Sequence, residues 1–241
     1  MTTVLPEVVR LPADPSLIRL TYHHEHSVEA DEFDDTLEVW TVKARMDADM
    51  LAEEMAAHRD VDQETLDAIQ DVNVGRMSFV RVHMFGPEDP FQAMDAHTGD
   101  VSSIGERVLD ISRGEFSREF EQALVHPVGD LLVMDRVILE SEWRGFGLGP
   151  VLAGSAIRRL SQGCAAVVCE PASADGRDLT GPEHCEAADK LAAVWARTGF
   201  EPFTDGVHLL DCHLQRPHDL LTERRQEFRA LCRAWRSHHR P

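Results

Sequence analysis

The 241-residue sequence contains no apolar run that approaches the length of a membrane span. Residues 1–14 have neither the basic flank nor the apolar stretch of a secretory signal. We therefore expect a cytoplasmic protein without a membrane partner. Hydrophobic residues make up 43% of the chain and charged residues 28%, proportions that are typical of a soluble globular protein rather than a disordered one.

The patterns of disulfide frameworks and zinc sites are also missing. The five cysteines are odd in number and no two have CxxC spacing, which favours reduced thiols. Metal-ligating residue types do occur together in Tyr22-His23-His24-Glu25-His26. In a strand His24 and His26 would share one face, but the sequence identifies no third ligand. We interpret the segment as a surface strand end and predict no metal site.

Positive charge is scarce over most of the chain. The formal net charge is −19, and such a field repels the phosphate backbone of nucleic acids, so no nucleic-acid partner is predicted. It favours cationic small molecules or basic protein segments instead. Residues 216–241 differ, because they hold seven arginines and three acidic residues. They predict one amphipathic basic helix after Pro217, which either packs on the domain or forms a contact with a second copy or an acidic partner.

One short glycine-rich stretch, 144–149, points to a ligand. It reads Arg-Gly-Phe-Gly-Leu-Gly and lies between the apolar, strand-like run Leu131–Leu139 and a helical pattern over 152–160. A glycine turn that opens a helix holds phosphate well, because backbone N–H groups converge there and the helix dipole adds positive charge. Arg144 supplies a side-chain cation for the same oxygens.

Two common nucleotide-binding patterns do not fit this turn. The dinucleotide fingerprint G-x-G-x-x-G has a different glycine spacing, since the glycines here fall on every second position. A P-loop needs Gly-Lys-Ser/Thr, whereas Gly149 is followed by Pro150-Val151. A tight turn without a ligand is the remaining alternative.

The pattern Arg-x-x-Gly-x-Gly resembles the acyl-CoA signature of the GNAT acyltransferase superfamily. The segment 139–145 is similar to the usual Val-x-Pro-Glu-Tyr-Arg-Gly of that family. The flanks follow the same order over about residues 130–214. A strand-like run at 165–169 is followed by a polar loop at 171–183, a helix that ends at Gly199-Phe200, and a hairpin turning at Asp205-Gly206.

The resemblance implies an α/β, GNAT-like acyl-CoA N-acyltransferase fold, with a mixed central sheet flanked by helices and a C-terminal helical extension. We expect a single domain over 1–215, with a divergent N-terminal half (1–128) and a CoA-binding half (129–215), followed by the helix at 216–241. The N-terminal half departs from the family, because helical patterns at 91–109 and 116–124 precede the central strand.

The resemblance also implies the activity: transfer of an acyl group, in the first instance acetyl from acetyl-CoA, to an amine of a small molecule or peptide. By the same resemblance the backbone of Val137, Ile138 and Leu139 pairs with pantetheine like an added strand. The pyrophosphate would lie on the turn formed by Arg144, Gly145, Phe146, Gly147, Leu148 and Gly149.

Three carboxylates are candidates for the base that takes a proton from the attacking amine: Asp135, Glu140 and Glu170. Asp135 lies within an apolar run, where an unpaired carboxylate is costly, and its neighbour Arg136 would point to the opposite face of a regular strand. A Tyr of the family, five residues before the Phe of Gly-Phe, corresponds to Trp195 here, and an indole is no general acid. The alternative function is therefore a non-catalytic, GNAT-like module that binds acyl-CoA or a protein.

Overall fold

The protein is described by a computed structural model over residues 10–29, 31–58, 62–171 and 182–239. Within these ranges a seven-stranded sheet has the strand order β1-β2-β3-β6-β7-β9-β8. Neighbouring strands are antiparallel, except that β6 and β7 are parallel. Its strands are β1 (Arg19–His23), β2 (Leu37–Met46), β3 (Val72–Val82), β6 (Asp130–Leu139), β7 (Cys164–Cys169), β8 (Glu201–Thr204) and β9 (Val207–Asp211).

A second, two-stranded sheet pairs β4 (Leu109–Asp110) with β5 (Glu115–Phe116). The helices are α1 (Ala48–His58), α2 (Gln63–Asp67), α3 (Pro90–His97), α4 (Gly99–Val108), α5 (Arg118–Gln122), α6 (Leu148–Leu160), α7 (Pro182–Ala196) and α8 (Gln215–His239). In the described ranges, none of these helices combines the length and the apolar character that crossing a membrane requires.

The sheet has a separate hydrophobic core on each face, as the alternation of side chains along β6 shows. Leu131 and Val133 belong to one cluster, which includes residues of α4 and α5. Leu132 and Met134 belong to the other, which α6 completes. Successive strand residues point to opposite faces, so the central strand is buried on both sides.

The mixed sheet flanked by helices confirms the predicted fold class. Strand β6, the glycine turn, α6, β7, α7 and the β8–β9 hairpin follow one another in the predicted order. Asp205 and Gly206 both have positive φ, as a two-residue hairpin turn requires. Strand β9 ends at Asp211. Most of the predicted polar loop, residues 172–181, lies outside the described ranges.

The segment between β3 and β6 is where the N-terminal half is elaborated. The helical pattern predicted over 91–109 forms two helices, because Thr98 has an extended backbone and its hydroxyl caps α4 by accepting from Val101 N. Helix α5 follows the small hairpin. Although this insertion separates β3 from β6 in sequence, the two strands pair directly in the sheet.

The basic C-terminal helix packs on the domain. Leu221, Leu231 and Cys232 of α8 are buried, and Phe228 and Trp235 contact the core cluster on the α6 side. The helix begins at Gln215, two residues before Pro217, because proline is tolerated in a first helical turn. A contact with a second copy stays a prediction.

Candidate functional site

Strands β6 and β7 separate part of the way along the sheet. Their register runs from Asp130↔Cys164 to Val133↔Val168, and beyond that point β6 pairs with β3 alone. The gap between the strands opens into a cavity of about 430 Å³. Its walls come from β6, the glycine turn, the end of β7 and helix α7: Met134, Asp135, Arg136, Val137, Ile138, Leu139, Arg144, Gly145, Gly147, Leu148, Gly149, Pro150, Cys169, Glu170, Leu191, Val194, Trp195 and Arg197.

A β-bulge in β6 lies at the start of the gap. Ser78 of β3 pairs with Arg136 and Phe79 pairs with Met134, so Asp135 is the extra residue of β6. Because a bulge adds one residue to one strand, the alternation of side chains is interrupted there. The Nε of Arg136 lies 3.8 Å from Oδ2 of Asp135, so the prediction that Arg136 points away from Asp135 is wrong.

Two of the three candidate bases line the cavity. The Asp135 side chain is 16% exposed and the Glu170 side chain 40% exposed. Glu140 is exposed and does not line the cavity, and its backbone N donates to Val74 O at 3.0 Å. The structure thus brings Asp135 and Glu170 to one cavity and leaves Glu140 outside it.

Helix α4 of the insertion forms one ion pair with a residue of β6 and one with Glu170, the residue after β7. Asp100, in its first turn, lies 3.3 Å from the Arg136 guanidinium. Arg107, in its last turn, lies 3.9 Å from Oε2 of Glu170. Neither ion pair was predictable from local patterns, because each joins residues far apart in the chain.

The glycine turn forms an open cradle at the start of α6. Gly145 and Gly147 have φ of +86° and +74°, in the region that favours glycine. Gly147 is the N-cap of α6 and provides no side-chain cap, so the first N–H groups of the helix keep their capacity to bind an anion. A Cβ at Gly145 or Gly149 would meet no atom within 4 Å. The turn therefore has both the donors and the free space that a pyrophosphate needs.

The remaining residues of the predicted turn have different roles. Arg144 donates from Nε to Leu139 O at 2.8 Å, which ties the turn to the end of β6. Leu148 is buried and Phe146 packs against the core cluster, so their side chains hold the turn in place. Pro150 lies in the first turn of α6, where its missing N–H leaves the start of the helix intact.

Arg197 is a cation of the site that sequence reasoning missed. It follows the end of α7, lines the cavity and lies 4.0 Å from the position of a Cβ on Gly147. Its guanidinium pairs with Glu227 of α8 at 2.7 Å. Nothing in its sequence neighbourhood indicates a ligand, because its approach to the glycine turn depends on how α7 packs beside α6.

The far wall of the cavity is apolar. Trp195 is 7% exposed and Cys169 is 1% exposed. Burial raises the pKa of the Cys169 thiol well above its usual range, with a further rise from the charge of Glu170. The indole occupies the position for which the resemblance leads one to expect a Tyr, and an indole is no general acid.

No protein-family model matches the sequence, and no curated protein matches it. Solved structures of two GNAT-family acetyltransferases, KacT and AtaT, do match it. A Tyr-to-Phe variant of KacT matches with a TM-score of 0.37 and 9% identity, over 85% of this chain and 99% of that chain. The KacTA–DNA complex (TM-score 0.38) and AtaT complexed with acetyl-methionyl-tRNAfMet (TM-score 0.36) match at 10% identity with the same coverage.

The predicted partners need a correction. The resemblance implied a small-molecule or peptide amine as acceptor, and the net charge of −19 led us to expect no nucleic acid. Two of the similar structures are instead complexes with nucleic acid, one with DNA and one with a charged tRNA. The charge argument was wrong in kind: net charge describes the whole chain, whereas a nucleic acid contacts one surface, and charges more than about 8 Å apart are largely screened at physiological salt. At 9–10% identity, the likeness of this chain to these structures is one of fold.

Proposed function

We propose that the protein binds acyl-CoA in the cavity between β6 and β7 and transfers the acyl group to an amine nitrogen, with acetyl-CoA as the donor. The observation that carries the proposal is the open glycine cradle at the N-terminus of α6, which adjoins a gap in the sheet lined by two carboxylates. Phosphate-binding donors, an extended strand edge and proton acceptors therefore border the same cavity.

Different residues of the cavity would bind different parts of the acyl-CoA. The N–H groups at the start of α6, with the nearby guanidiniums of Arg144 and Arg197, suit the pyrophosphate. The edge of β6 at Val137–Leu139 pairs with β3 on one side and borders the cavity on the other. It would pair with the amides of pantetheine as a strand edge does.

The proposed chemistry is a direct transfer. When bound, the donor supplies an acyl group on a thioester. The nitrogen–carbon bond forms as the carbon–sulfur bond breaks, and Asp135 takes the proton from the nitrogen. Asp135 is the less exposed of the two carboxylates, at the point where the strands part. Trp195 offers no proton in return, so the thiolate leaves and takes a proton from water, as the ordinary acidity of a thiol permits.

Helix α4 would form the acceptor side of the site. Its ion pairs with Arg136 and Glu170 hold it beside both carboxylate-bearing strands, on the sheet face opposite to α6. In this arrangement Glu170 would be a second polar group for the incoming nitrogen. Helices α3 and α4 of the insertion would set the shape of the entrance for the acceptor.

Calorimetric titration with acetyl-CoA tests the binding half of the proposal. The wild-type protein should bind, and Arg144→Ala combined with Gly147→Glu should abolish binding, because the second change places a carboxylate in the cradle. Gly99→Glu is the matched control, since Gly99 opens α4 and a Cβ there meets no atom within 4 Å. The binding proposal is wrong if the wild type gives no heat of binding.

Release of free thiol in the presence of amine-bearing acceptors tests the catalytic half. Saturable, acceptor-dependent release supports an acyltransferase. Binding of acetyl-CoA without release of thiol would favour the second candidate function, a non-catalytic acyl-CoA-binding module. The observation behind this candidate is Trp195, which lines the cavity where the resemblance leads one to expect a Tyr.

A further inference from the structure

We propose that a patch at the C-terminal end of α6 binds single-stranded nucleic acid. The patch consists of Arg158 and Arg159 of α6, Arg225 and Arg229 of α8, and the ring of Tyr22 on β1. It lies at the opposite end of α6 from the glycine cradle, and the 13 residues of that helix span about 20 Å. The proposal does not rest on acyl transfer.

The arginines of the patch lie on two helices that pack together: Arg158 and Arg159 are neighbours in the last turn of α6, and Arg225 and Arg229 are one turn apart on α8. Partial burial, together with the charges of Arg158 and Arg229, lowers the pKa of the Arg225 guanidinium. Within the described part of the chain, no acidic group lies within ion-pair distance of Arg158, Arg225 or Arg229. Many other arginines of the protein do have such partners, for example Arg81 with Asp130 at 2.7 Å. Although the chain has 43 acidic residues, its described part places none beside these three cations, and an external anion would reduce their mutual repulsion.

The shape of the cluster suits a phosphate backbone. Guanidinium groups bind phosphate in a bidentate manner and retain their charge at any physiological pH. Arg158 and Arg229 are exposed, whereas Arg225 is half-buried. A row of cations on two packed helices can follow successive phosphates of one strand.

Aromatic rings adjoin the cations. The Arg159 guanidinium lies 5.7 Å from the centre of the Tyr22 ring. Both residues line a surface cavity of about 520 Å³ together with Trp40, whose ring stacks with His24 at 4.9 Å. Glu38 also lines this cavity, but it accepts from Trp40 Nε1 and faces His83.

The combination of cations and aromatic rings favours nucleic acid over an acidic polypeptide. Bases that are not paired stack on aromatic side chains, whereas an acidic peptide offers nothing for Tyr22 and Trp40 to stack on. Duplex DNA keeps its bases stacked inside the helix, which favours a single strand over a duplex.

Fluorescence anisotropy with a 12-nucleotide oligo-U probe tests the proposal at several salt concentrations. The variant Arg158→Gln/Arg225→Gln/Arg229→Gln should lose at least tenfold in affinity. The slope of log K against log salt should fall by about 2, since about 0.7 counterions are released for each phosphate contact on a single strand. The control Arg113→Gln/Arg118→Gln/Arg216→Gln removes the same charge from exposed arginines elsewhere and should bind like the wild type.

The aromatic part has its own variants. Tyr22→Ala should weaken binding about fivefold or more without changing the salt slope, and Tyr22→Phe should restore it, because the ring rather than the hydroxyl stacks. Acetyl-CoA titration of the triple arginine variant should give the wild-type affinity, which separates this patch from the cavity.

Three outcomes would overturn the proposal: no oligo-U binding by the wild type at low salt, equal loss in the cluster and control variants, or tighter binding of polyglutamate or duplex DNA than of oligo-U.

Discussion

The side chains of Asp135 and Arg136 lie on the same side of β6, with Oδ2 and Nε 3.8 Å apart, although neighbours in a regular strand face opposite sides. The bulge that makes Asp135 an extra residue in the pairing with β3 produces this arrangement. Arg136 also reaches Asp100 of α4. One inserted residue therefore brings a carboxylate to the gap in the sheet and links it through Arg136 to helix α4.

The first prediction concerns Asp135. Asp135→Asn keeps the size of the side chain and its place at the bulge but removes the proton acceptor. Loss of a general base typically lowers the rate about 10²–10⁴-fold, so we expect kcat to fall by at least 10² while the affinity for acetyl-CoA stays within twofold. Steady-state kinetics with calorimetry of the same preparation measures both.

Glu140→Gln is the matched control for that variant, because Glu140 is exposed and lies outside the cavity. It should retain wild-type kcat. A larger loss of kcat in Glu140→Gln than in Asp135→Asn would assign the base to Glu140 instead. An equal loss in Glu170→Gln and Asp135→Asn would mean that the two carboxylates share the proton.

The second prediction separates binding from folding at the glycine turn. Gly149 has no positive φ, and a Cβ there meets no atom within 4 Å, so Gly149→Val should fold normally. The added methyl groups would occupy the space proposed for pyrophosphate, and acetyl-CoA affinity should fall at least tenfold by calorimetry. Gly99→Val, also in a first helical turn with open space around it, should leave that affinity unchanged. If Gly149→Val binds acetyl-CoA with wild-type affinity, the pyrophosphate does not bind at the glycine turn.

Local patterns predicted the half of the fold that carries the site. Three features specify structure through their own chemistry: the apolar run of β6, the glycines that open α6 and Gly199 shortly after α7. Gly199 has a φ of +107°, in the region that favours glycine. The bulge at Asp135 could not be predicted from the sequence, because it depends on the register of β6 with β3, a strand about sixty residues earlier. Arg197 was missed for a similar reason: only tertiary packing brings it to the cradle.

The third prediction concerns the close approach of β3 and β6. A Cβ on Gly75 would lie 2.4 Å from the Ile138 carbonyl oxygen and 2.8 Å from a methyl carbon of Leu139. Gly75→Ala must therefore push the strands apart. We expect a loss of about 2 kcal/mol in the free energy of unfolding, measured with urea, and weaker acetyl-CoA binding at the displaced edge of β6. Gly99→Ala is the control. Equal stability of the two variants would contradict the close approach of β3 and β6 at Gly75.

The fourth prediction concerns Cys169, the thiol that lines the cavity. Because burial raises its pKa, the thiol stays protonated at pH 8 and is no nucleophile. Iodoacetamide at pH 8 should modify the exposed Cys185 and leave Cys169 unmodified until the protein unfolds, as peptide mass spectrometry would show. Cys169→Ser should keep kcat within a few-fold. An acetyl group found on Cys169 after incubation with acetyl-CoA would refute direct transfer.

The fifth prediction concerns the ion pair between Arg236 of α8 and Asp14, near the start of the described chain. The Asp14 carboxylate is fully buried, and its Oδ2 accepts from Arg236 Nε at 2.6 Å. Arg236→Met leaves that charge buried without its partner, which should lower the free energy of unfolding by about 3 kcal/mol. Urea unfolding should show at most about 0.5 kcal/mol for Arg233→Met, an exposed arginine on the same helix.

Combining Asp14→Asn with Arg236→Met removes the buried charge itself, so the double variant should recover part of the loss. If the double variant is less stable than Arg236→Met alone, the cost lies in lost packing of α8 rather than in the unpaired carboxylate. Because α8 also supplies Glu227 to Arg197, the affinity for acetyl-CoA in these variants reports whether the helix has kept its position beside the cavity.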